Sequence, residues 1–159
     1  MLVFLIGFMG SGKTTLGRAL SKQLDWRFID LDREIEKFSG CSVSQLFSQS
    51  EESGFRKIEQ QVLYNVVNRI QNQTPAKQNC IISCGGGAPC YEQNLTFMKS
   101  NGFVIYLEVS PEILCERLLH TSSTNRPLLP SKDPSNLLIY IRNLLTQRLP
   151  YYKAAHWEC

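Results

Sequence analysis

The chain has 159 residues, 43% hydrophobic and 19% charged, which fits one domain with a sizeable core. Its 17 Lys and Arg against 14 Asp and Glu give a net charge of +3, which suits an anionic ligand and is too mild for a nucleic-acid or membrane surface. The six cysteines (41, 80, 84, 90, 115 and 159) include no CxxC and no accompanying His pair, which argues against zinc. No apolar run reaches the roughly 18 residues of a membrane span. The apolar start, 1–9, has neither a basic lead nor a cleavage site, so the expectation is reduced thiols in a cytoplasmic protein.

The opening stretch, LVFLIGFMGSGKTT, contains Gly7-x4-Gly12-Lys13-Thr14, the spacing of a phosphate-binding P-loop. An apolar run over 2–6 reads as a buried strand before it. Leu16, Leu20 and Leu24 mark a helix after it. The residue types suit phosphate chemistry. Gly7, Gly10 and Gly12 let backbone N–H groups approach phosphate oxygens, and the helix start adds unpaired donors. Lys13 is a point charge for the β- and γ-phosphates, and the Thr14 hydroxyl can ligate Mg²⁺.

A short second strand is expected at Phe28 to Asp30. Asp30 and Asp32 follow each other at a spacing of two, which in extended backbone points both to one side at the strand's C-terminal end. Asp30 suits a Mg²⁺ shell or is a solvated strand end. Asp32 can accept a substrate hydroxyl's hydrogen bond or proton, or it caps the next helix. A short amphipathic helix is expected over 42–50. A long one follows with Phe55, Ile58, Val62, Val66 and Ile70 inward. Arg56, beside Glu52 and Glu59, reads either as part of a solvated ion-pair face or as a carboxylate clamp oriented by a glutamate.

A third buried strand over 80–83 runs into Gly85-Gly86-Gly87. This is a run expected where a ligand or another backbone comes close. A short helix over 92–100 and a fourth strand over 103–108 follow. Ser110-Pro111 then opens the next helix. Residues 121–133, with two prolines, fit a mobile lid carrying Arg126, which either offsets γ-phosphate charge or is a surface arginine. The last helix begins at Asp133-Pro134 and is expected to end near Arg148, because Pro150 disfavours helix before it. There Arg148 binds an anion or complements the helix dipole.

The strand, P-loop and helix, the strand–helix alternation and the lid are similar to the nucleoside-monophosphate-kinase-like branch of P-loop proteins. Within it the chain resembles the shikimate kinases. Five stretches carry the likeness in the family's order: GFMGSGKTTLGRAL, FIDLDREIE, GFRKIEQQVL, ISCGGGA and NRPLL, followed by QRLPYY. The resemblance implies a three-layer α/β/α fold with a central parallel sheet. It implies a single domain over 1–159, with the lid at 121–133 and a substrate-binding helical region over 32–70. The implied activity is MgATP-dependent phosphorylation of shikimate on its 3-hydroxyl, in aromatic amino-acid biosynthesis, by a cytoplasmic monomer that binds neither nucleic acid nor membrane.

By motif, Gly10, Ser11, Gly12, Lys13, Thr14 and Thr15 would hold ATP phosphates, with Thr14 and Asp30 at Mg²⁺. Asp32 would bind ring hydroxyls and act as the base, Arg56 and Arg148 would grip the carboxylate, and Glu59 would brace Arg56. Phe47 and Phe55 would line the substrate pocket with Gly85, Gly86 and Gly87. Arg126 would be the lid arginine and Arg117 the arginine near adenine. The family continues past QRLPYY with a fifth strand, whose leading loop helps form the adenine pocket. Here the sequence stops at Cys159, residues 151–159 are too short to assign, and that strand is expected to be missing. The rival readings are another small-molecule kinase of the branch, such as gluconate kinase, and a nucleotide-binding protein without catalysis. The first would need no two-arginine clamp. Intact Lys13, Asp32 and Arg126 run against the second.

Overall fold

Five short stretches form one parallel sheet in the computed structural model, which describes residues 1–74, 78–120 and 133–159. They are β1 (Leu2–Ile6), β2 (Arg27–Asp30), β3 (Cys80–Ser83), β4 (Phe103–Tyr106) and β5 (Trp157–Glu158), in the order β2-β3-β1-β4-β5. The helices are α1 (Lys13–Leu24), α2 (Leu31–Ser39), α3 (Val43–Gln49), α4 (Glu52–Gln71), α5 (Asn94–Asn101), α6 (Pro111–His120) and α7 (Pro134–Lys153). The central strand β1 is buried at every position, as a strand covered on both faces must be.

Its side chains alternate between two apolar layers. Leu2, Phe4 and Ile6 join Val62, Val66 and Ile70 of α4, Met98 of α5 and Tyr152 of α7 on one side. Val3 and Leu5 meet Leu16 and Leu20 of α1 and Phe28 on the other. A third cluster ties α6 to α7 through Phe8, Leu114, Leu118, Leu137 and Ile141. The result is the expected three-layer α/β/α architecture. In register, Asp30 and Leu5 both pair with Ser83. The C-terminal ends of β1, β2 and β3 therefore reach one level, where open α/β sheets hold ligands.

Three expectations are corrected. Helix α7 runs through Pro150 to Lys153 instead of ending near Arg148. Pro150 and Thr146, one turn apart, are both exposed, so water can serve the carbonyl that Pro150 cannot bond. The wholly buried Tyr152 holds the last turn in place. Second, a fifth strand is present: Trp157 and Glu158 pair parallel with Ile105 and Tyr106 of β4, supported by His156 N–H to Val104 O at 2.9 Å and Cys159 N–H to Tyr106 O at 2.9 Å. Third, Asp32 is neither extended nor a cap. It lies in the first turn of α2, and Asp30 takes the N-cap position.

Gly17 lets α1 lie close on the sheet: a Cβ there would fall 2.5 Å from Phe28 Cε2 and 3.1 Å from Leu5 Cδ1. Alanine's helix propensity would favour the substitution by about 1 kcal/mol, whereas overpacking costs about 1–3 kcal/mol. Gly17→Ala is expected to lower the urea midpoint at unchanged m-value, for a net loss of up to about 2 kcal/mol.

Candidate active site

The loop between β1 and α1 is shaped by Gly7, Gly10 and Gly12, which hold φ of 140°, 82° and 99°. These angles leave no place for a side chain without strain. Lys13, in the first turn of α1, is buried. Its ammonium donates to Gly7 O at 2.9 Å and Phe8 O at 2.8 Å, with Ser11 Oγ at 3.4 Å. A buried ammonium needs such acceptors, and here they pin its charge at the mouth of the loop beside the helix start. That arrangement suits an anion.

Thr14 Oγ1 donates to Asp30 Oδ2 at 2.9 Å and lies 3.4 Å from Ser83 Oγ. Ser83 escaped the sequence reading. Its signal was a polar residue closing an otherwise apolar strand. No cluster of three or more His, Cys, Asp or Glu side chains able to hold a metal occurs among the described residues. The three oxygens suit Mg²⁺ nonetheless, because that ion takes few protein ligands and fills its octahedron with phosphate oxygens and water. Thr14 and Asp30 are the residues that would hold it.

One continuous cleft of about 1540 Å³ spans the sheet end. It exceeds the roughly 300–1,000 Å³ of a single-ligand site, so two ligands can lie side by side. Lys13, Thr14 and Thr15 line it with Arg117 towards α6. Asp32, Phe47, Phe55, Arg56, Gly85, Gly86, Gly87 and Arg148 line the same cleft.

Arg56 is 8% exposed, so it does not belong to a solvated ion-pair face. It donates to Glu59 Oε2 at 2.6 Å and to Glu52 Oε1 at 3.1 Å and 3.3 Å. It also lies over the tilted rings of Phe47 and Phe55, 5.9 Å and 5.2 Å from their centroids. Burial works against its charge, but Glu59 and Glu52 hold the guanidinium protonated. Glu59, 1% exposed, is pushed up to about 7 by burial, against the pull of Arg56. The charge of Asp32 adds to the rise and that of Arg148 opposes it. Its Oε1 has no hydrogen-bond partner among the described residues.

The three glycines make room for these charges. None has positive φ, so the need is for space alone. A Cβ on Gly85 would fall 2.5 Å from Glu59 Oε1 and 3.3 Å from Asp32 Oδ1. One on Gly86 would meet Arg148 Nη1 and Met9 N, each at 3.3 Å, and one on Gly87 would fall within 2.1 Å of Arg56 Nη2. Asp32 is open to the cleft, while the protein crowding its other sides and the charge of Asp30 raise its pKa. Lys13 and Arg56 oppose that rise. Arg148 projects from the middle of the last turns of α7 and lies over Phe8 at 5.7 Å. It is not an end-of-helix charge.

Arg117, expected near adenine, donates to Gly10 O at 3.2 Å and Ser11 O at 3.3 Å. It touches the P-loop backbone while lining the cleft. Arg126 and the lid, except Asp133, lie outside the described residues. Asp133 itself caps α7, accepting from Asn136 N–H at 2.8 Å.

The family model for shikimate kinase matches residues 9–158. The shikimate kinase of Bacteroides thetaiotaomicron is 39% identical over 155 residues, covering 98% of this chain and 83% of that protein. Its crystal structure superposes with a TM-score of 0.88 at 38% identity, over 99% of this chain and 85% of that one. The shikimate kinase of Acinetobacter baumannii in complex with shikimate gives a TM-score of 0.84 at 34% identity, over 99% and 82%. A likeness that runs over almost the whole chain, in both sequence and fold, leaves one assignment: this enzyme belongs to the shikimate kinase family.

Proposed function

We propose that this enzyme transfers the γ-phosphoryl group of ATP to the 3-hydroxyl of shikimate, giving 3-phosphoshikimate and ADP on the route to the aromatic amino acids. The observation that carries the reading is the pairing, in one cleft, of a P-loop with two guanidinium groups and a carboxylate. Shikimate has one carboxylate and three hydroxyls. Arg56 and Arg148 answer the first and Asp32 the second. Each charged hydrogen bond is worth about 1.5–3 kcal/mol, enough to select a carboxylated ring over a neutral polyol.

In this reading Asp32 takes the proton of the 3-hydroxyl as that oxygen bonds to the γ-phosphorus. The bond from the γ-phosphorus to the bridging oxygen of ADP breaks. Phosphoryl transfer needs positioning and charge cancellation more than covalent help, and Lys13 is the residue poised for the charge. Mg²⁺, held through Thr14 and Asp30, would supply charge neutralisation at the phosphates. Glu59 keeps Arg56 in one rotamer. The motif assigns Arg126 to the γ-phosphoryl charge. A cytoplasmic monomer acting on shikimate and ATP, without nucleic acid or membrane, completes the proposal. No helix among the described residues is long and apolar enough to cross a membrane.

Coupled ADP release with Mg²⁺ and ATP tests the substrate: it should require shikimate and should not respond to gluconate or nucleoside monophosphates. Release with gluconate alone would move the substrate. ATP binding without any turnover would favour a non-catalytic role. Asp32→Asn is expected to lower kcat by about 10²–10⁴-fold, the range of general-base catalysis. Gly87→Ala displaces the Arg56 guanidinium and should raise KM for shikimate by about tenfold or more while leaving KM for ATP alone.

The state of Glu59 makes a separate prediction. Its carboxyl has a folded pKa of about 7 against an ordinary 4.5. Its contribution to stability is therefore full below pH 4.5 and is lost as pH rises through 7. Urea unfolding across that window should show the stability of the wild type falling relative to Glu59→Gln by roughly 2–3 kcal/mol. A flat difference would mean that Glu59 is ionised throughout.

A further inference from the structure

Two tyrosines end the QRLPYY stretch, and they have different fates. Tyr151 is 40% exposed, whereas Tyr152 is wholly buried. Tyr152 stacks on Tyr106 of β4 with ring centroids 5.0 Å apart. Its hydroxyl donates to Gly86 O at 2.5 Å. Tyr152 also lies four residues after Arg148 on α7, so the two share a helix face, and the guanidinium charge acts on the hydroxyl. Gly86 in turn lies against both Arg148 and the P-loop backbone, with a Cβ position 3.3 Å from Arg148 Nη1, 3.3 Å from Met9 N and 3.5 Å from Gly7 O.

We infer that Tyr152 is a positioning residue for substrate: its hydroxyl fastens the middle of the glycine loop to the helix that carries Arg148. This fixes the spacing between the Arg148 guanidinium and the Gly85–Gly87 backbone. The inference rests on the substrate reading proposed above. The glycine run has no side chains of its own to hold it, because four charged neighbours take that space. A loop so stripped is loose unless its backbone is tied from outside, and the Tyr152 hydroxyl is such a tie. Burial pushes the phenol pKa up, so the hydroxyl stays a donor throughout the working pH range. The stacked ring holds it at a fixed height above the sheet.

Tyr152→Phe keeps the ring and deletes the tie. Tyr106→Phe removes a hydroxyl from the other ring of the same stack and serves as the control. For Tyr152→Phe, KM for shikimate is expected to rise about threefold to tenfold, with kcat and KM for ATP within about twofold of wild type. Amide hydrogen exchange should quicken at 85–87 and stay unchanged at 10–15. An unchanged KM for shikimate, a KM for ATP that rises in step, or the same changes in Tyr106→Phe would overturn the inference. The exchange arm needs no turnover. If wild type releases no ADP with shikimate, the substrate reading falls, while exchange at 85–87 still decides whether the hydroxyl holds the loop.

Discussion

Charges from several helices converge on the backbone of Gly85–Gly87: Arg56 and Glu59 from α4, Asp32 from α2 and Arg148 from α7. Much of the rest of the molecule can be read as the means of bringing them there. Burying a guanidinium and a carboxylate removes hydration worth several kcal/mol per ion, and only close, well-aligned partners offset it. The 2.6 Å contact between Arg56 and Glu59 is such a partner, and the aromatic faces of Phe47 and Phe55 are another. The loop contributes by being empty. Any side chain at 85 or 87 would occupy the place of a charged group. The glycines are therefore space for the protein's own charges before they are a surface for a ligand.

The two ends of the cleft are built by different means. On the nucleotide side the backbone dominates: three positive-φ glycines, the start of α1 and a lysine held by carbonyls. This part is local in sequence, and fourteen contiguous residues specify it. The other end is assembled from α2, α3, α4, the loop after β3, and α7, so its geometry depends on the packing of the whole sheet. Arg117 joins the two logics, reaching from α6 to the P-loop carbonyls across the chain.

That division explains what could be read from residues alone. The P-loop, the buried strands and the alternation of strand and helix announce themselves by spacing and apolar run. The placement of Asp32 depended on where α2 begins, a boundary that the spacing of two aspartates does not fix. Pro150 misled because local propensity argues for a helix end, whereas a buried aromatic two residues later outweighs it. The fifth strand was hidden by its size, since two residues carry no periodicity, and only β4 beside them reveals the pairing. Ser83 offered only a polar end to an apolar strand, and Tyr152 gave no signal, because each meets a partner distant in sequence, Thr14 in one case and Gly86 in the other. The burial of Arg56 was equally invisible, since an exposed and an interior Glu-Arg-Glu helix face have the same spelling.

The small size of β5 has a counterpart at the far side of the sheet. An open sheet ends in two strands whose outer backbone groups are unpaired, and such edges can recruit another chain. Here both are short, four residues in β2 and two in β5. Both are also charged. Arg27 opens β2, exposed and hydrogen-bonded to Gln73, and Lys153 ties Glu108 and Glu158 together at β5. A neighbouring molecule that tried to extend the sheet at β2 would find little ladder to follow and a desolvation cost for following it. At β2 the short ladder and the exposed Arg27 thus guard that edge of the folded sheet against edge-to-edge aggregation.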